Sequence, residues 1–327
     1  IEMVLPDGSI IRTGSSTDDS DEPSIWGHGP GPDLHYLPVH AMGTLGIVTK
    51  MTVRGHPLDD ECKIFWAAFD DIDPACSAFR DIVRRELCTG SCVYAGHKYT
   101  SYATDTSEAQ YRMNRVHPMY SIVLTFQGTK GRVEYEEKTV REIVGRNEGR
   151  VIVDKFPPYE SFVGSHIAMA TSLYSDVLGA IRYWGSRGSL TTIFAILSME
   201  QLAQAWKIFT KATLEEEYFS DPDNLHGDLG LGMIGYATEG GHYDWLELGL
   251  EGHNLNLDAS WASVRVVGKC VKEFAKLGIA VDPRRSSKIA PGKHNLQSGY
   301  VDLMTTMKKS LDPSNIMHPG WWFTYKG

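Results

Sequence analysis

Apolar and polar positions divide the chain into short strands and longer amphipathic helices. Ile1 to Leu5 alternates loosely, Pro6-Asp7-Gly8 supplies turn chemistry, and Ser9 to Thr13 is extended again, so the pattern predicts a hairpin. Gly14 to Pro32 has no period and is rich in Ser, Asp, Gly and Pro, which predicts a loop with Asp18, Asp19, Asp21 and Glu22 solvated. That acidic run lacks the alternating ligands and turn glycine of a calcium hand. Past Gly43-Thr44-Leu45-Gly46, the β-branched Ile47 and Val48 open a strand that continues through Met51-Thr52-Val53-Arg54. The character changes at Gly55-His56-Pro57, where a domain boundary is placed.

From there strands and helices alternate. Lys63 to Phe69 is a predicted strand, and Asp73-Pro74 predicts a helix start, with Ala75, Phe79, Ile82, Val83 and Leu87 on one face. Met119 to Phe126 predicts a strand and Val133 to Val144 a charged amphipathic helix. Thr191 to Leu197 predicts a strand, followed by a helix from Met199 to Tyr218 with Leu202, Ala205, Trp206 and Phe209 inward. Leu229 to Tyr236 and Tyr243 to Leu250 are strands joined by Glu239-Gly240-Gly241. A helix from Ser260 to Leu277, opened by Asp258 or Ser260 and stopped by Gly278, comes next. The last, from Gly299 to Leu311, ends at Asp312-Pro313. Helices that return onto hairpins predict an α+β layer, an antiparallel sheet covered mainly on one face. Beyond it, Trp321, Trp322 and Phe323 need a surface to bury against.

With 327 residues and 42% hydrophobic content, the chain can build one large domain or two ordinary ones. A net charge of −9 without any Lys/Arg-rich run argues against a nucleic-acid footprint. Apolar runs such as Ile193 to Leu197 are too short to span a bilayer, and no leader pattern opens the chain, so a cytoplasmic location is the default expectation. The five cysteines, Cys62, Cys76, Cys88, Cys92 and Cys270, contain no C-x-x-C pair. Reduced, buried thiols are expected rather than a disulfide framework or a zinc site.

Two glycines three apart, Gly43 and Gly46, let a backbone approach a ligand closely, although G-x-x-G before a strand is also a common structural turn. Two further runs decide between these readings: Val4-Leu5-Pro6-Asp7-Gly8 before the turn, and Leu311-Asp312-Pro313-Ser314-Asn315-Ile316-Met317-His318-Pro319-Gly320 near the end. Together the three resemble the FAD-linked oxidases of the vanillyl-alcohol oxidase class, which includes the 4-cresol, glycolate and D-lactate dehydrogenases. The resemblance implies a closing remnant of the family's FAD-binding domain at 1–57, a substrate (cap) domain at 58–300, and a tail at 301–327 that returns to the FAD domain. It implies that Gly43, Thr44, Gly46, Ile47 and Val48 line the FAD, mostly through backbone groups. The turn is no dinucleotide fingerprint, because no third glycine opens a helix and no acidic ribose partner follows. The family's preceding half-domain is absent from this chain, so the same or a second chain is expected to supply it. A small-molecule substrate and a further copy of the chain are the other expected partners; nucleic acid and membrane are not.

A second candidate is Asp282-Pro283-Arg284-Arg285-Ser286-Ser287. Oxidation of a phenol needs a cation near the substrate oxygen, and arginine stays charged and offers several donors. Arg284 or Arg285 is the expected polarising residue and His294 a candidate base; the alternative is a solvated basic loop. The sequence departs from both branches of the family here. Pro283 stands where the phenol oxidases carry tyrosine, and the Glu-His-Gly of the 2-hydroxy-acid branch is absent. Trp321 likewise replaces a basic residue after Pro319-Gly320. His226 and Asp228 do not reproduce that branch's histidine spacing, so no metal is expected. Tyr94, Tyr99 and Tyr102 read as core. The implied activity is hydride transfer from an alcohol or benzylic carbon, of a 4-alkylphenol or aryl alcohol, to FAD. The alternatives are a 2-hydroxy-acid dehydrogenase of the same class and a non-catalytic partner subunit without flavin.

Overall fold

The computed structural model describes residues 1–17, 26–29, 31–39, 41–55, 60–103, 107–115, 117–152, 188–220, 231–253, 256–281 and 297–320. They fall into two units, Ile1–Pro57 with Ala290–Gly327, and Leu58–Ile289. In the first, β1 (Glu2–Val4) lies between β2 (Ile10–Arg12) and β3 (Ile47–Lys50), antiparallel to both. The hairpin closes as its turn residues require: Gly8 donates its N–H to the Leu5 carbonyl at 2.9 Å. The Asp7 carboxylate accepts the Ser9 hydroxyl at 2.6 Å and its N–H at 2.9 Å, which holds Asp7 below the usual carboxylate range. Glu2 ties the three strands together, accepting from Thr49 at 2.9 Å, Arg12 at 3.1 Å and Lys50 at 3.3 Å.

The second unit is α+β, as the periodicity predicts. Its described strands form one antiparallel eight-stranded sheet in the order β11-β8-β10-β9-β5-β6-β4-β7. These are β4 (Glu61–Phe69), β5 (Gly90–Gly96), β6 (Tyr120–Gly128), β7 (Arg150–Val151), β8 (Gly188–Ser198), β9 (Gly232–Thr238), β10 (Tyr243–His253) and β11 (Ala280–Val281). Four long helices supply the larger core: α1 (Ile72–Arg84), α4 (Lys130–Arg146), α5 (Leu202–Leu214) and α7 (Leu257–Lys276). Their apolar stripes, including Phe79, Ile82, Val140, Ile143, Phe209, Val266 and Phe274, pack on the sheet face that carries Ala67, Ile122, Val93, Leu246 and Ala195. Among the described residues only the short α2 (Lys98–Ala103) and α3 (Ser107–Asn114) lie against the other face, where Tyr99 and Met113 join Trp66, Tyr94, Val123 and Ile234. Neither short helix was legible in the periodicity. The brief α6 (Glu217–Ser220) completes the unit, and α8 (Ser298–Leu311) belongs to the first. Among the described residues no helix is long and apolar enough to cross a membrane.

Two helix starts differ from the expectation. The side chain that caps α1 is Asp71, which accepts the Asp73 N–H at 3.2 Å. Pro74 then sits one turn in, among N–H groups that have no intrahelical partner in any case. Asn256 caps α7 by accepting the Ala259 N–H at 3.0 Å, while Ser260 bonds back to the Asn256 carbonyl. The caps precede the apolar run by more residues than the periodic pattern alone indicates. All five cysteines are free. Burial pushes the Cys88 and Cys270 thiols up to about 12, so both stay protonated and inert.

One carboxylate breaks the pattern of the larger core. Asp244, at the start of β10, is fully buried, and neither of its oxygens finds a hydrogen-bond partner among the described residues. Gly235 on β9 makes room for it, since a Cβ there would stand 2.6 Å from Oδ1. Burial pushes the Asp244 carboxyl well above the ordinary 3.8. The folded protein therefore favours the protonated acid. The stability gained from that form is complete below pH 3.8 and is lost as pH rises through the folded pKa. Asp244→Asn is expected to stabilise the protein at pH 7 by on the order of 1 kcal/mol. The gain should shrink to nothing in urea melts run near pH 3.

Candidate cofactor-binding turn

Strand β3 leaves the turn at Ile47, and the turn is held from behind by β1. Gly46 lies so close to β1 that a Cβ would meet the Val4 carbonyl at 2.7 Å. Gly43 has φ +70° and faces open space, with nothing within 4 Å of where a side chain would start. Ile47 is exposed and Val48 half-buried. Thr44 is buried, and its polar groups are directed inward: its N–H and hydroxyl donate to the Ala41 carbonyl at 3.0 and 2.6 Å. Its carbonyl accepts Lys308 Nζ at 2.8 Å. By contrast, the N–H groups of Gly43 and Leu45 make no hydrogen bond among the described residues.

Lys308, on the last turn of α8, is the residue that the sequence reading missed. Only 1% of its side chain is exposed, and its ammonium has three protein acceptors. These are the Thr44 carbonyl, the Met317 carbonyl at 2.7 Å and the Asp312 carboxylate. Asp312, one helical turn on, also accepts the N–H groups of Met317 at 2.9 Å and Ile316 at 3.0 Å. Burial alone would raise its carboxyl. The Lys308 ammonium and these two N–H groups outweigh that and hold Asp312 below the ordinary 3.8. On the other side of Gly43, His318 Nδ1 lies 2.7 Å from the Met42 carbonyl. A carbonyl only accepts, so Nδ1 carries the proton. Met42, Asn315 and His318 all take left-handed φ values, 52°, 49° and 45°. They make up half of the six described non-glycine residues in that region, and backbone strain of this kind gathers where a fold holds a functional surface. The sequence signal for this node is Lys-x-x-x-Asp before Pro313, an i,i+4 pair that reads as ordinary solvated helix surface.

Among the sequence-predicted site residues, Gly43, Thr44, Gly46, Ile47 and Val48 thus share one turn and the strand that follows it. Arg284, Arg285 and His294 lie outside the described residues, as do His226, Asp228 and Trp321. Tyr94 and Tyr99 fill the smaller core, Tyr99 stacking on His117 at 4.5 Å between ring centres. Burial pushes His117 down to about 3, so it is neutral at ordinary pH. A second buried ion pair, Lys98 Nζ to Glu247 Oε1 at 2.6 Å, joins α2 to β10. Glu247 sits in cross-strand register with Phe194 and Ile234, on the face that also carries Trp245 and Tyr236. Lys98 reaches it because Gly232 has no side chain; a Cβ there would stand 2.6 Å from the Lys98 Cβ.

FAD presents carbonyl, ring-nitrogen and pyrophosphate acceptors and a flat apolar ring. The turn offers matching features: an N–H without an acceptor among the described residues at the exposed Gly43, open space beside it, and the exposed apolar Ile47. The residues present fit the group.

No family model matches the sequence. Over 87 residues the chain is 34% identical to the glycolate oxidase subunit GlcD of Bacillus subtilis (strain 168), a stretch covering 27% of this chain and 17% of that protein. In fold the chain is similar to p-cresol methylhydroxylase solved with substrate bound, with a TM-score of 0.73 at 17% identity over 99% of this chain and 64% of that one. It is similar also to the 4-ethylphenol oxidase of Gulosibacter chungangensis in its isoeugenol complex, with a TM-score of 0.74 at 13% identity over 99% and 65%. An alkyldihydroxyacetonephosphate synthase matches with a TM-score of 0.62 at 15% identity, over 98% of this chain and 53% of that one. The chain therefore spans less than two thirds of the length of these relatives. The resemblance to the vanillyl-alcohol oxidase class drawn from the sequence holds at the level of fold.

Removing Lys308 alone would leave Asp312 charged and buried. Lys308→Met is expected to destabilise the first unit by about 3–5 kcal/mol, read as early loss of amide protection at Ile316 and Met317. Because the folded Asp312 carboxyl is lowered, its contribution is complete above pH 3.8 and is lost as pH falls through the folded pKa. Protection of the same two amides, relative to their intrinsic exchange rate, should therefore hold at pH 5 and fall as the solution is acidified below 3.8.

Proposed function

We propose that this chain is the C-terminal part of an FAD-dependent oxidoreductase that removes a hydride from an alcohol or benzylic carbon. A 4-alkylphenol or aryl alcohol is the favoured substrate class. The observation that carries the reading is the turn at Gly43, where the exposed Gly43 N–H has no acceptor among the described residues and the Met42 and Thr44 carbonyls are tied back into the protein. The fold likeness to p-cresol methylhydroxylase and 4-ethylphenol oxidase supports the class of substrate.

When bound, FAD supplies the hydride acceptor. This chain's residues would hold it and prepare the substrate. Gly43, Gly46, Ile47 and Val48 line the cofactor, while Thr44 supports the turn from within. Arg284 or Arg285 holds the substrate oxygen as an anion, which makes loss of hydride from the benzylic carbon easier, and His294 takes a proton. The remaining part of the FAD domain comes from the same or a second chain.

The identity to a glycolate oxidase subunit favours a second reading, in which the substrate is a 2-hydroxy acid and the arginine grips its carboxylate. Steady-state turnover of the full-length protein on vanillyl alcohol and 4-ethylphenol, beside D-lactate and glycolate, separates the two. Turnover of the phenols is expected. Arg284→Ala or Arg285→Ala, whichever holds the substrate oxygen, should then reduce kcat/KM by about 100-fold or more. Turnover of the hydroxy acids alone would establish the second reading, and turnover of neither would contradict both.

A further inference from the structure

The two carbonyls that flank Gly43 are both held by side chains from the C-terminal segment. His318 Nδ1 takes the Met42 carbonyl at 2.7 Å and Lys308 Nζ takes the Thr44 carbonyl at 2.8 Å. No described peptide bond is cis, and in a planar trans peptide the N–H points opposite to the C=O. Fixing the Met42 carbonyl therefore fixes the direction of the Gly43 N–H, and fixing the Thr44 carbonyl fixes that of Leu45. Each N–H is turned away from the side chain that holds its peptide. Neither N–H finds an acceptor among the described residues; Gly43 is exposed whereas Leu45 is buried, so the Gly43 N–H is the one that faces a ligand.

We propose that Lys308 and His318 are positioning residues, a two-point clamp on the turn that aims the Gly43 N–H at an acceptor atom of bound FAD. The proposal rests on the reading of the turn as a flavin site and adds the reason it is preorganised. A helix packed on a turn for stability alone needs only apolar contact. A buried ammonium shared between a helix, its own carboxylate and a carbonyl 264 residues away fixes orientation as well as proximity. The left-handed conformations of Met42 and His318 place the carbonyl and the imidazole at the two ends of one of these bonds. Peptide dipoles set in advance cost no reorganisation when the ligand arrives.

The test uses the full-length protein, stripped of flavin and titrated with FAD. His318→Gly removes the exposed ring and relaxes a backbone that already prefers glycine. Lys308→Met combined with Asp312→Asn removes the second hold without leaving a buried charge. Each variant is expected to bind FAD at least tenfold more weakly, with the melting temperature of the flavin-free His318→Gly protein unchanged. In the wild type, amide exchange over Met42 to Ile47 should slow on FAD binding, and it should slow less in both variants. Wild-type affinity in both variants, or no slowing of that exchange, would overturn the clamp while leaving the flavin reading in place. A loss of affinity matched by a fall in melting temperature in both flavin-free variants would make the contacts purely structural and also overturn it. A wild-type protein that takes up no FAD would overturn both.

Discussion

Among its described residues, the first unit depends on one buried ion pair. Lys308 and Asp312 stand one helical turn apart, and each is almost wholly removed from water. Such a pair is tolerated only when every donor and acceptor is satisfied, because an unmatched charge in the interior costs several kcal/mol. Here the ammonium meets three acceptors, and the carboxylate accepts the ammonium and two N–H groups. Those partners are the turn at Thr44 and the segment from Asp312 to Met317. The requirement to satisfy one charge pair thus dictates where the tail runs and what it touches. The glycines of the turn follow from the same constraint. Gly46 lets β3 start hard against β1, and Gly43 leaves the outer surface clear between the two held carbonyls.

The second unit is built on a different principle. Its sheet carries a core on each face, and period-2 alternation sends Phe65, Ala67 and Phe69 of β4 to the helix-covered face and Ile64, Trp66 and Ala68 to the other. Two buried carboxylates show how much the environment decides. Glu247 accepts Lys98, whereas Asp244, three residues earlier and on the opposite face, has no partner among the described residues and is driven toward its neutral form. The first suits a surface that meets a polar group. The second is a cost carried by the core, eased by the missing side chain at Gly235.

Much of the fold was legible in the chain because long amphipathic helices and alternating strands report their own burial. Phe79, Ile82 and Val83 declared the inner face of α1, and the Glu239-Gly240-Gly241 turn placed the β9–β10 hairpin. Helix starts were read a few residues late, since Asp71 and Asn256 lie outside the apolar stripe. Helices α2 and α3 were missed because they are short and seated by contacts with distant strands rather than by a periodic face. Of the candidate site, the turn was legible through its glycines and its company. Lys308 was not, for a lysine four residues before an aspartate looks solvated until the tertiary contact with Thr44 is known. Thr44 itself was expected at the cofactor, while its N–H, hydroxyl and carbonyl all serve the protein's interior.

The turn at Gly43, held by the C-terminal segment, is proposed as half of a flavin site. The absorption spectrum of the purified full-length protein, before and after incubation with FAD and removal of excess, tests it most directly. Flavin absorption bands from one FAD per chain are expected, released on denaturation or, if covalently attached, remaining with the polypeptide. A protein that stays colourless after incubation with FAD would contradict it.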